Sequence, residues 1–177
     1  KLACALMALS LAACGQAVET KTADLSERQN FHAKEVEFEL TSEQFTSAFN
    51  AAARSYGQSF RINKVNVQHG SAHDYFQQTL ASGISLTAVI AKDSGRITSV
   101  TALVSDNNAS NVLAISEVVA ATVNPGLDKS KTSALVTDMM KEAGSNNEAG
   151  KFPQRFVNNT RYVLRNSSGI GYWWIAN

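Results

Sequence analysis

Two runs of residues constrain this chain more than any others. Ile84-Ser-Leu-Thr-Ala-Val-Ile-Ala91 and Arg96-Ile-Thr-Ser-Val-Thr-Ala-Leu-Val-Ser105 flank the short segment Lys92-Asp-Ser-Gly95. In the first run Ile84, Leu86, Ala88 and Ile90 alternate with Ser85, Thr87 and Val89, the period-two pattern of a strand with one buried face. The intervening segment is a turn signal, with Gly95 free to take a positive φ. In the second run Ile97, Val100, Ala102 and Val104 keep a less regular register. Together they predict an antiparallel hairpin, whose apolar face must be covered by another layer.

The rest of the chain supplies that layer and more strands. Glu35-Val-Glu-Phe-Glu-Leu40 alternates strictly, which predicts a half-buried strand with Val36, Phe38 and Leu40 on one face. Thr41-Ser-Glu-Gln44 fits a capping box. Phe45, Ala48, Phe49, Ala52 and Ala53 then follow at helical spacing until Gly57. Phe60 to Gln68 and Tyr75 to Ala81 are further strand candidates. A second helix is predicted from the Asn107–Asn111 segment to Val123, with Val112, Ile115, Val119 and Val123 on one stripe and Pro125-Gly126 as the stop. A third, capped by Asp128 or Ser130, carries Leu135, Met139, Met140 and Ala143. Gly144 to Gly150 reads as a loop. Phe152 to Asn166 and Ile170 to Ala176 close the chain as two strands about a Ser167-Ser-Gly169 turn. The expected fold class is α+β: a single domain, residues 34–177, with an antiparallel sheet packed against about three helices.

Composition sets the outer bounds. The chain has 177 residues, 44% hydrophobic and 18% charged, with 16 Lys+Arg against 15 Asp+Glu. That is the balance of an ordinary globular domain. It argues against a dedicated nucleic-acid binder, which needs a basic excess to neutralise phosphates.

The first fourteen residues carry a different message. Lys1 is followed by an apolar run in which only Ser10 is polar. The run is too short for a membrane-spanning helix, which needs about 20 apolar residues, and has the length of a signal-peptide core. Leu11-Ala12-Ala13-Cys14 resembles the lipobox of bacterial lipoproteins. That resemblance implies cleavage before Cys14, a thioether-linked diacylglycerol on its sulfur, and a membrane partner reached through the lipid. The implied organisation is a signal peptide at 1–13, a lipidated Cys14 with a flexible tether to residue 33, and then the domain. The implied location is the cell envelope, at the outer membrane facing the periplasm in a Gram-negative cell. Cys4 and Cys14 are the only cysteines, so the mature domain can hold neither a disulfide framework nor a cysteine-based zinc site.

Catalytic signatures are few. His69-Gly-Ser-Ala-His73-Asp74 puts two imidazoles and a carboxylate within six residues, but Gly70 in a strand-to-strand loop denies the helix that would aim both histidines at one ion. Glu35, Glu37, Glu39 and Glu43 could supply paired carboxylates, yet solvated charge on a strand's outward face explains them as well. Nucleophile elbows, metalloprotease helices and phosphate-cradling glycine loops are missing from the sequence. No cofactor and no metal is expected.

One surface signal remains. Residues 151–177 contain Lys151, Arg155, Arg161 and Arg165 and no acid, together with Tyr162, Tyr172, Trp173 and Trp174. Adjacent strand residues face opposite ways, so only one tryptophan can enter the core. Placing Ile170, Tyr172, Trp174 and Ala176 inward, against Phe156, Tyr162 and Leu164, leaves Trp173 outside. There it would share a face with Arg155, Arg161 and Arg165, in reach of a cation–π contact. Trp173, Arg161 and Arg165 are therefore the candidate partner-binding residues. The expected function is a non-enzymatic, lipid-anchored domain binding an envelope protein, a glycan or an anionic polymer. Its rivals are a small envelope hydrolase using carboxylates, and an inhibitor or immunity-type lipoprotein.

Overall fold

A computed structural model describes residues 36–106, 108–145 and 151–177, all within the compact unit Lys34–Asn177. Cys14, the tether and most of the expected 144–150 loop lie outside the described residues. The fold is α+β. Helix α1 spans Ser42–Ser55. Strands β1 (Gln68–His69), β2 (Asp74–Ala81), β3 (Ile84–Ile90) and β4 (Ile97–Val104) follow, then helices α2 (Ala109–Val123) and α3 (Lys129–Ser145). Strands β5 (Gln154–Val157), β6 (Thr160–Ser167) and β7 (Gly171–Ala176) end the chain. The seven strands form one antiparallel sheet in the order β1-β2-β3-β4-β7-β6-β5, so the C-terminal strand lies near its centre.

Local chemistry starts and stops the helices. The Thr41 hydroxyl accepts the Gln44 N–H at 3.4 Å, and the Gln44 side chain accepts the Thr41 N–H at 2.9 Å, a complete capping box. Asn108 caps α2 by accepting from Ser110 and Asn111. Asp128, not Ser130, caps α3 by accepting the Lys131 N–H at 2.8 Å. Phe45, Phe49, Val112, Ile115, Val119 and Met139 are fully or almost fully buried against Ile84, Leu86, Ala88, Val100, Ala102 and Trp174.

The sheet departs from the predicted strands in four places, each with a physical reason. Residues 36–40 form no regular strand. Phe38 and Leu40 bond the Ile97 backbone and Thr41 bridges Arg96, so this segment flanks the start of β4. Phe38 is buried as expected, but Val36 lies beyond that pairing and is 50% exposed. Of the Phe60–Gln68 candidate only Gln68 joins the sheet, as the first residue of β1. Farther back, the Asn50 amide bonds both the N–H and the C=O of Ile62, so α1 takes up backbone that would have sought a strand partner. The irregular register of β4 is a bulge: Ile90 faces Ile97 while Val89 faces Ser99, leaving Thr98 extra. Inward side chains consequently fall at an odd position before Thr98 and at even positions after it. Finally, 152–166 is a hairpin and not one strand. Asn158 and Asn159 take φ of 48° and 65°, the two-residue turn that matches strand twist.

Candidate functional site

All three helices pack on the sheet face that carries Leu86, Ala88, Val100, Ala102, Leu164 and Trp174. No described helix packs on the opposite face, and the expected binding residues lie there. Trp173 stands opposite Leu103 on β4 and Arg165 on β6. Ile175 stands between Thr101 and Val163, and Val163 faces Gln154 on the edge strand. Trp173 is half-buried, Trp174 is buried, and Arg161 and Arg165 are exposed. The predicted sidedness of the two tryptophans therefore agrees with the register.

The β5–β6 hairpin overturns two of the expected placements, and the turn before β7 a third. A two-residue turn pairs Phe156 with Arg161 and Arg155 with Tyr162, so even positions of β5 share a face with odd positions of β6. Phe156, expected inward, is thus on the outer face and 71% exposed. Arg155, expected outward, lies on the helix side and pairs with Glu142 of α3 at 2.7 Å. Ile170, also expected inward, belongs to the turn before β7 and is exposed. The cation–π partner differs as well: the Arg165 guanidinium sits 4.4 Å from the centroid of Phe152, not over Trp173.

Several contacts fix this region. Asn124, the C-cap of α2, donates to the Val157 carbonyl and accepts from the Asn158 side chain, clamping the hairpin to the helix end. Arg161 exchanges backbone bonds with Asn177 at 2.7 and 3.0 Å, and its Nε donates to the Asn177 side chain at 3.0 Å. That bond sets the direction of the guanidinium. Beside it is a hollow of about 440 Å³ lined by Val36, Val89, Thr98, Ser99 and Phe156. A second hollow, about 690 Å³, is lined by Lys151, Phe152, Arg155, Arg165 and Glu142. Arg161 and Asn177 line both.

Two of the other chemical candidates, Asp74 and Glu43, make local polar contacts, and Glu35 lies outside the described residues. Asp74 accepts from His69 and from Lys92, each at 2.8 Å, and these bonds (Lys92 foremost) hold its carboxyl below the usual range. Its oxygens thus serve a cross-strand polar cluster. Among the described residues no group of three or more His, Cys, Asp or Glu could hold a metal. Glu43 sits in the first turn of α1, where backbone and hydroxyl hydrogen bonds lower its pKa. A general acid requires the opposite shift, whereas a carboxylate base or nucleophile is ionised. No described helix is long and apolar enough to cross a membrane.

Val36, Val89, Phe152 and Phe156 were not legible as site residues. Only the Asn158-Asn159 pair, residues tolerant of positive φ, signalled the turn that brings Phe156 to this face. Comparison of the chain with family models, with curated proteins and with solved structures yields no match.

Proposed function

We propose that this protein is a lipid-anchored component of the bacterial cell envelope that works by binding an acidic partner, without catalysis. The anchor is the lipobox-like Leu11-Ala12-Ala13-Cys14. The binding surface is the sheet face opposite the helices, around Trp173, Arg161 and Arg165. One observation carries this reading. A sheet normally buries its apolar rows against a second layer, yet here Trp173, Ile175, Val163 and Phe156 lie on a face that no described helix covers, beside exposed arginines. Tryptophan and arginine are also the residues that most often dominate interfaces.

A photo-crosslinking residue at Thr101, in the middle of that face, tests the reading in intact envelopes, with Ser47 on the exposed side of α1 as control. Thr101 should give an adduct that Arg161→Gln with Arg165→Gln abolishes, and Ser47 should give none. Equal adducts at both positions, or an adduct indifferent to the arginines, would remove the face from consideration. Cys14→Ser should leave a soluble or unprocessed protein. A processed Cys14→Ser protein still in the detergent phase would refute the anchor.

A further inference from the structure

The two hollows differ in character and share Arg161 and Asn177 in their linings. The smaller exposes mostly apolar atoms and has no acid among its described lining residues, though His73 and Asn159 also line it; Val36 and Phe156 are 50% and 71% exposed. The larger gathers Lys151, Arg155, Arg161 and Arg165, and Glu142, the one carboxylate among its described lining residues, is paired with Arg155. Arg161, steered by its bond to Asn177, stands where the apolar space gives way to the basic one. Large exposed apolar side chains gathered at one hollow mark a binding site more often than a casual surface. A volume of about 440 Å³ falls within the roughly 300–1,000 Å³ of small-molecule sites. A second copy of this chain is a poor occupant, because face-to-face pairing sets arginines against arginines.

We propose that the joined hollows bind a monomeric, single-chain anionic amphiphile. Its apolar chain lies against Val36, Val89 and Phe156, and its carboxylate or phosphate head meets Arg161, whose fork of donors suits either group. This inference rests on the reading of the uncovered sheet face as a binding surface and gives its ligand a chemistry.

The test uses the full chain carrying Cys14→Ser, so that no attached acyl chain competes. Calorimetric titration compares dodecanoate below its micellar concentration with dodecyl phosphate, dodecanol, dodecyltrimethylammonium and acetate. Dodecanoate and dodecyl phosphate should bind at least tenfold more tightly than dodecanol, and the cation and acetate should not bind measurably. Arg161→Gln should weaken the two anions at least tenfold and leave dodecanol unchanged. Phe156→Ser should weaken all three binders, while Arg54→Gln on α1 should change nothing. Equal binding of the cation, or dodecanoate binding indifferent to both Arg161→Gln and Phe156→Ser, overturns the proposal. So does Arg161-dependent binding to phosphatidylglycerol vesicles without binding of monomeric dodecanoate, which would make the ligand a bilayer. If dodecanoate fails while Thr101 still crosslinks in an arginine-dependent way, the amphiphile is wrong and the binding face stands.

Discussion

Gly171 shows how much a single residue can decide. It begins β7 with φ of 113°, and a Cβ there would lie 2.1 Å from the Val104 carbonyl oxygen and 2.8 Å from Ser105 Cα. Both obstacles are backbone, so no rotamer change relieves them. Gly57, after α1, also has a positive φ, 70°, but its missing side chain would point into open space. The two glycines separate conformational cost from collision. Gly57→Ala should cost about 1–2 kcal/mol, the ordinary penalty of a left-handed conformation. Gly171→Ala must add displacement of β4 from β7 at the centre of the sheet, and should cost well beyond the roughly 1–3 kcal/mol of backbone strain alone. Urea melts of both variants check the order. A Gly171→Ala protein as stable as Gly57→Ala would show that β4 and β7 do not meet as closely as described.

At the scale of elements, the polar ends of helices and strands carry the charge chemistry. Asp128 accepts the Lys131 backbone N–H and pairs with its side chain, while Asp74 links β2 to Lys92 and His69; in each case hydrogen bonding to the ionised form lowers the pKa from its ordinary 3.8. A carboxyl depressed on folding contributes stability that is full above its unfolded pKa and is lost as the pH falls through the folded one. Thermal stability should therefore drop below about pH 4, and Asp74→Asn with Asp128→Asn should flatten that drop; Asn keeps the capping geometry at 128 but cannot titrate. An acid limb of unchanged steepness in the double variant would assign acid sensitivity to other groups. These elements also show what was readable beforehand. The Thr41 box, the stripe on α2 and the alternation of β3 depend on neighbours within a few residues, so the sequence displayed them. The bulge at Thr98, the capture of Ile62 by Asn50 and the parity change across Asn158-Asn159 depend on partners far along the chain or on one turn's backbone. For the site, Trp173, Arg161 and Arg165 could be placed on one side from parity alone. The groove residues Val36, Val89 and Phe156 come from three separate segments, and no local pattern joins them.

The folded domain is asymmetric: its three helices cover one face of the sheet, and its last strand places one indole on each face. Trp173 and Trp174 are the only tryptophans, so fluorescence can report the two faces separately. Trp174 is 1% exposed and lies tilted against Tyr162 at 5.5 Å between ring centroids, within the core under the helices. Trp173 is half-buried between Leu103 and Arg165, and any contact it makes with solvent is through the outer face. In Trp174→Phe, which leaves Trp173 alone, acrylamide should quench readily. In Trp173→Phe, quenching should be several-fold weaker until denaturant unfolds the domain. A partner on the outer face must shield the first signal and spare the second, so a bound acidic partner should slow quenching in Trp174→Phe only. The reverse order of quenching in the free protein would mean that the strand is turned over, with the arginine face against the helices. Shielding of both indoles together would point instead to tightening of the entire domain, and the outer face would lose its claim to be the contact surface.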